Sequence, residues 1–208
     1  DWKRAGAAAT MLTTMLTTML AALGCSPAAQ PTAEPTVEPA AQTPAPAFVA
    51  EDFDVPTQVE ADGFTIVPLG PDLAEIDYEA YMSSIEHLQA TFTRSTSWPR
   101  ADLDADDAIK DMETEAARFE ARTSFAYAVL TPDGSRERGC IYVYPSDVAG
   151  YDAVVRLWVT QAEFDAGFDE ELYAFAQEWI ATQWPFESVA YPGRAIAWDE
   201  WDTLTQDR

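Results

Sequence analysis

Two apolar runs joined by Pro132-Asp133-Gly134 constrain this chain more than any other feature. Ser124 to Thr131 is apolar on both faces, Pro-Asp-Gly supplies a tight turn, and Arg138 to Tyr144 returns as a partner strand. A strand with two apolar faces needs cover on both. The pair therefore predicts the central hairpin of a layered sheet with helices on both faces.

The flanking sequence supplies those layers. Phe64 to Leu69 alternates and stops at Gly70-Pro71, as a strand does before a turn. Asp72 resembles a helix cap, and Tyr78, Tyr81, Ile85 and Leu88 follow at helical spacing. A polar loop over 91–99 leads to a second helix. Asp104 or Asp106 caps it, and Ile109, Met112, Ala116 and Phe119 form its apolar stripe. Val154 to Thr160 is a further strand, Phe168, Leu172, Phe175, Trp179 and Ile180 mark a third helix, and Ser188 to Tyr191 is a last short strand. The expected class is α+β, with a mixed, mostly antiparallel sheet and the order β-α-α-β-β-β-α-β.

Three segments divide the chain. Residues 1–25 carry Lys3 and Arg4, an uncharged run from Ala5 to Leu23, and the small-residue site Leu20-Ala21-Ala22-Leu23-Gly24-Cys25, the pattern of an export signal. This site resembles the lipobox of bacterial lipoproteins. The resemblance implies lipidation of Cys25 and a protein held at the cell envelope, on the outer membrane or cell surface, by a lipid anchor. The uncharged run is also long enough to remain as an uncleaved span; either way the rest is exported, whereas a misread signal would leave a cytoplasmic protein. Residues 26–50 form a linker with prolines at 27, 31, 35, 39, 44 and 46, either a semi-rigid spacer or a plain tail. Residues 51–208 are long enough for one domain with its own core.

That domain is strongly acidic. The chain has 36 acidic and 12 basic residues; Asp1, Glu34, Glu38, Lys3 and Arg4 precede residue 51, leaving 33 against 10. Such a field excludes nucleic acid as a partner and suits cationic ligands, metal ions and basic proteins better, so the expected partner is a small molecule or a basic protein. With Cys25 lipidated, Cys140 has no partner in the chain and reads as a buried, inert thiol in a strand. His87 is the only histidine, so no metal site is expected.

The order of elements, with Pro132-Asp133-Gly134 between strands two and three and a helix after strand four, resembles the GNAT fold of acyl-CoA N-acyltransferases over roughly residues 64–198. That family carries a Gln/Arg-x-x-Gly-x-Gly/Ala loop whose amides cradle the pyrophosphate of acetyl-CoA at a helix N-terminus. The matching segment is Gln161-Ala162-Glu163-Phe164-Asp165-Ala166-Gly167. The resemblance implies Gln161, Ala166 and Gly167 as cofactor contacts, Glu163 as base, and Tyr142 or Tyr144 as acid for transfer to an amine. Phe164, however, stands where the first glycine belongs. Glu163 and Asp165 add two carboxylates beside the phosphates, each such contact costing about 1–4 kcal/mol. The expectation is therefore a noncatalytic binding module with no cofactor. The alternative is an N-acetyltransferase using acetyl-CoA.

A second candidate site follows His87. Arg94, Trp98 and Arg100 share one short segment with several hydroxyls, and Arg194 stands in a similar setting near the C-terminus. Guanidinium groups beside an aromatic face suit a carboxylate or phosphate ligand.

Overall fold

The computed structural model describes residues 48–206, and both Cys25 and the linker up to Ala47 lie outside them. Its centre is the expected hairpin. Strand β3 (Phe125–Leu130) pairs antiparallel with β4 (Glu137–Pro145), Phe125 opposite Val143 and Ala128 opposite Cys140. A bulge at Val129/Leu130 then brings Leu130 opposite Glu137. Asp133 closes the turn by accepting bonds from the Thr131 and Ser135 hydroxyls and the Ser135 amide.

The sheet grows outward from that pair in chain order. Strand β2 (Phe64–Pro68) lies beside β3, preceded by β1 (Val59–Ala61), a short edge strand that the sequence pattern did not single out. Beyond β4 comes β5 (Ala153–Val159), antiparallel, and then β6 (Val189–Ala190), the one parallel neighbour. The closeness of β4 and β5 depends on Gly139, where a Cβ would lie 2.0 Å from the Trp158 carbonyl oxygen. The result is the expected α+β class: a six-stranded, mostly antiparallel sheet.

Alternation decides what each face meets. Phe125, Tyr127, Val129, Ile141, Val143, Val155, Leu157 and Val159 are buried against Phe168, Leu172, Ala176, Trp179 and Ile180 of helix α5 (Phe168–Gln183). Each such side chain contributes roughly 1.5–3 kcal/mol when fully buried. The opposite face carries Cys140, Tyr142, Arg156 and Trp158. It meets helix α1 (Ala74–Met82) and the segment that runs from α2 (Ile85–Leu88) to α3 (Ala105–Glu120), through contacts such as Cys140 with Asp77 and Trp98 with Trp158.

Helix boundaries differ from expectation in instructive ways. Asp72 sits in a 3-10 turn, Pro71–Leu73, and α1 starts behind Leu73 with no side-chain cap. Part of the expected polar loop is helical, a π-turn over Gln89–Thr93. For α3 the cap is Asp104, in a reciprocal capping box with Asp107. Its buried stripe is Ala108, Met112 and Glu115 rather than the wholly apolar set, because Glu115 turns inward and pairs with Arg118 at 2.6 Å. Two further helices, α4 (Gln161–Asp165) and α6 (Trp198–Gln206), complete the domain. Among the described residues no helix is long and apolar enough to cross a membrane.

Candidate functional site

Strands β5 and β6 touch over only Ala153–Val189 and Val154–Ala190. Beyond Ala190 the chain turns away through Tyr191, Pro192 and Gly193 while β5 runs on to Val159. The parted strands leave a cavity of about 340 Å³. That volume is within the range of small-molecule sites. Its floor is β5 from Val155 to Val159; its walls are His87, Phe92, Phe164, Tyr191, Arg194 and Trp198. Trp198 reaches the cavity because Gly193, at φ +76°, has no side chain, and a Cβ there would lie 2.4 Å from the indole.

Three arginines surround this space, each treated differently by the fold. Arg94 is bonded at two points to Asp202 of α6, at 2.9 and 2.8 Å, and lies 4.8 Å from the centre of the Trp198 ring. Arg194 is bonded at two points to Asp169, in the first turn of α5. Arg156, on β5, donates to the Phe92 carbonyl and has ring centres of Phe92 at 4.3 Å and Trp198 at 5.4 Å. His87 stacks on Phe164 with ring centres 4.9 Å apart, and burial lowers its pKa, against the opposing pull of Asp169 and Asp165.

The expected pyrophosphate loop has a conformation of its own. Residues 161–165 are the short helix α4, capped by the Thr160 hydroxyl. The amides there bond within the protein: Gln161 to the Ser84 hydroxyl, Glu163 to the Thr160 hydroxyl, Phe164 to the Thr160 carbonyl, Ala166 to the Ala162 carbonyl and Gly167 to the Phe164 carbonyl. The Gln161 side chain bonds Asp165 at 2.8 Å. Gln161, Ala166 and Gly167 therefore do not line the cavity, whereas Phe164 and Asp169 do.

Glu163 likewise has its own partners. It is 6% exposed and clasps Arg138 and Arg136, both at 2.7 Å, while Arg138 lies 3.3 Å over the Phe168 ring. Burial alone would raise its pKa, but the bonds from Arg138 and then Arg136 outweigh that and hold the carboxyl below the usual range. Tyr142 and Tyr144 stack on one another on β4, 5.8 Å apart. The Tyr142 hydroxyl accepts from Trp158 Nε1, and burial pushes both phenols upward, so they remain protonated. Neither tyrosine nor Glu163 lines the cavity.

Of the second candidate set, His87 and Arg194 line the cavity; Arg94 stands behind Trp198. Trp98 packs between Tyr81 and Trp158, and Arg100 pairs with Asp102 in an exposed turn. Sequence reasoning missed Arg156 and Trp198. Arg156 interrupts an apolar strand, and Trp198, Trp201 and Leu204 have helical spacing, so both carried a faint signal.

One cluster could hold a cation among the described residues. Asp77, Glu137 and Cys140 bring their ligand atoms within 4.8 Å of one another, all buried between α1 and β4. The Cys140 thiol donates to Glu137 at 2.8 Å, and Glu137 Oε2 has no partner. Burial raises the Asp77 carboxyl to about 7 against a hydrogen bond with Glu137 that lowers it, while burial and then the Asp77 charge push Glu137 well up. No basic residue closes the cluster, and protonation removes the charge instead.

The fold and cavity define the class of this domain: a mixed α+β sheet with a ligand-sized cleft where its two parallel strands part. No protein-family model and no curated protein matches the chain. Solved structures similar to it include the ribosomal-protein-S5-alanine acetyltransferase of Vibrio fischeri, at 11% identity and TM-score 0.47, covering 61% of this chain and 67% of that one. The microcin C7 self-immunity acetyltransferase MccE, in complex with acetyl-CoA and AMP, is 16% identical at TM-score 0.46, covering 62% and 71%. A ribosomal-protein-alanine N-acetyltransferase of Brucella melitensis biovar Abortus 2308 is 18% identical at TM-score 0.37, covering 68% and 88%.

Proposed function

We propose that this chain is an exported protein, anchored by lipid at Cys25 and set off the membrane by residues 26–50, whose domain is a noncatalytic binding module on a GNAT-like scaffold. The binding site is the cleft between β5 and β6. One observation carries this reading: the amides of Gln161, Glu163, Phe164, Ala166 and Gly167 already bond to acceptors inside the protein. A phosphate cradle requires N–H groups free to point at the ligand, and these five are already engaged. Support comes from Asp169, whose carboxylate occupies the first turn of α5, and from Phe164, whose ring joins the cleft wall.

Calorimetric titration of the purified chain with acetyl-CoA tests it. The expected result is no binding tighter than about millimolar, or roughly −4 kcal/mol. Micromolar binding would overturn the module and make acetyl transfer to an amine the leading function, a reading favoured by the parting of β5 and β6 alone. Anchoring is tested separately. Labelled fatty acid should enter the protein in cells and vanish with Cys25→Ala, and unlabelled cytoplasmic protein would remove the export half of the proposal.

A further inference from the structure

The cleft holds a guanidinium that the protein itself does not neutralise. In a chain with 36 acidic residues, the described arginines are almost all matched to a carboxylate: Arg94 to Asp202, Arg100 to Asp102, Arg118 to Glu115, Arg136 and Arg138 to Glu163, Arg194 to Asp169. Arg122 caps the carbonyls of Ala50 and Phe53. Arg156 lines the cleft between β5 and β6 with no carboxylate bonded to it, and the Phe92 carbonyl is the acceptor it reaches. Burial depresses its pKa, a sign that its charge has lost water without gaining a counter-ion. Arg156 ties β5 to the π-turn through the Phe92 carbonyl and two rings, but none of these contacts supplies the full negative charge that its guanidinium lacks.

From this geometry we infer that the cleft binds a small monocarboxylate with an aromatic body, its carboxylate on Arg156 and its ring among Phe92, Phe164 and Trp198. The planar fork of a guanidinium matches a carboxylate at two points, and one unpaired cation calls for one negative charge. A more highly charged ligand would meet Asp169 on the same wall. Arg94 and Arg194, already neutralised, shape the site without adding net charge. This inference rests on the cleft being the binding site of the proposed module.

The test uses the purified chain and three probes: phenylacetate, its neutral isostere phenylacetamide, and inorganic phosphate, each followed by tryptophan fluorescence and by thermal shift. Phenylacetate should bind at least tenfold more tightly than phenylacetamide, about 1.4 kcal/mol, and phosphate should not compete. Arg156→Met should lose that tenfold preference while the empty protein melts no lower than the wild type. Arg156→Lys, which keeps the charge but not the fork, should retain only part of the preference. Equal binding of acid and amide, an undiminished preference in Arg156→Met, or no response to phenylacetate up to about 10 mM would each overturn the inference. Micromolar acetyl-CoA binding with an Arg156-dependent acid preference would instead remove the noncatalytic reading and leave the carboxylate site standing.

Discussion

The carboxylate of Asp169 holds the guanidinium of Arg194 at two points across the rim of the cleft, with Nη2 to Oδ1 at 2.6 Å. The pair joins the first turn of α5 to the segment that follows β6, at the wall of the cavity left where β5 and β6 part. A negative charge is favourable at a helix N-terminus, and here the Asp169 carboxylate supplies it.

Removing Asp169 tests what the pair contributes. Asp169→Ala leaves Arg194 half-buried without an acceptor, which should cost about 1–3 kcal/mol in urea unfolding. The same variant frees a second cation in the cleft, so multivalent anions excluded by the wild type should begin to bind. A stability loss without any gain in anion binding would mean that the pair is a clamp and nothing more.

Glu163 should matter more for stability than any exposed acid. It is buried and answers two arginines, one of them packed on Phe168. Glu163→Gln should destabilise by about 3 kcal/mol, as expected when one member of a buried pair is removed. Arg136→Ala, whose side chain is 55% exposed, should cost well under half of that. Denaturant midpoints of the two variants give the comparison.

Asp77 and Glu137 set a pH dependence of the opposite sign. Asp77 titrates near 3.8 when unfolded and near 7 when folded, because burial favours its neutral form. The folded state therefore binds more protons between those values, and stability is fully present below about 4 and lost as pH rises toward 7. Glu163, with its lowered pKa, works the other way and contributes above the ordinary carboxylate range. Asp77→Asn should flatten the fall in melting temperature between pH 4 and 7 while leaving the acid limb intact. An unchanged profile would show that the pair is charged at neutral pH, as it would be around a bound cation.

Net charge gives a bulk prediction. A domain of 33 acids against 10 bases repels itself, and salt screens that repulsion over about 10 Å at 0.1 M. The melting temperature should rise between low salt and about 1 M NaCl. A falling curve would mean that local pairs such as Asp202 with Arg94 outweigh the field, since salt weakens those too.

Every strand but β1, the hairpin and most helices were legible in the sequence alone. Apolar alternation from Ser124 to Tyr144 and the Pro132-Asp133-Gly134 turn are local physics, and the capping box of Asp104 and Asp107 is equally local. The sequence also carried the departure at Phe164, a missing glycine being visible in one dimension. Tertiary structure alone decided what the charged residues do. Glu163 sits next to Phe164 in the chain, yet Arg136 from the turn before β4 and Arg138 from β4 reach it, and Asp169 finds Arg194 some twenty-five positions away. Periodicity records which side of an element faces inward, not which distant group it meets there. For the same reason Arg156 passed as one polar residue in an apolar strand. Only the parting of β5 from β6, and the arrival of Trp198 over Gly193, made it the unpaired cation of a cleft.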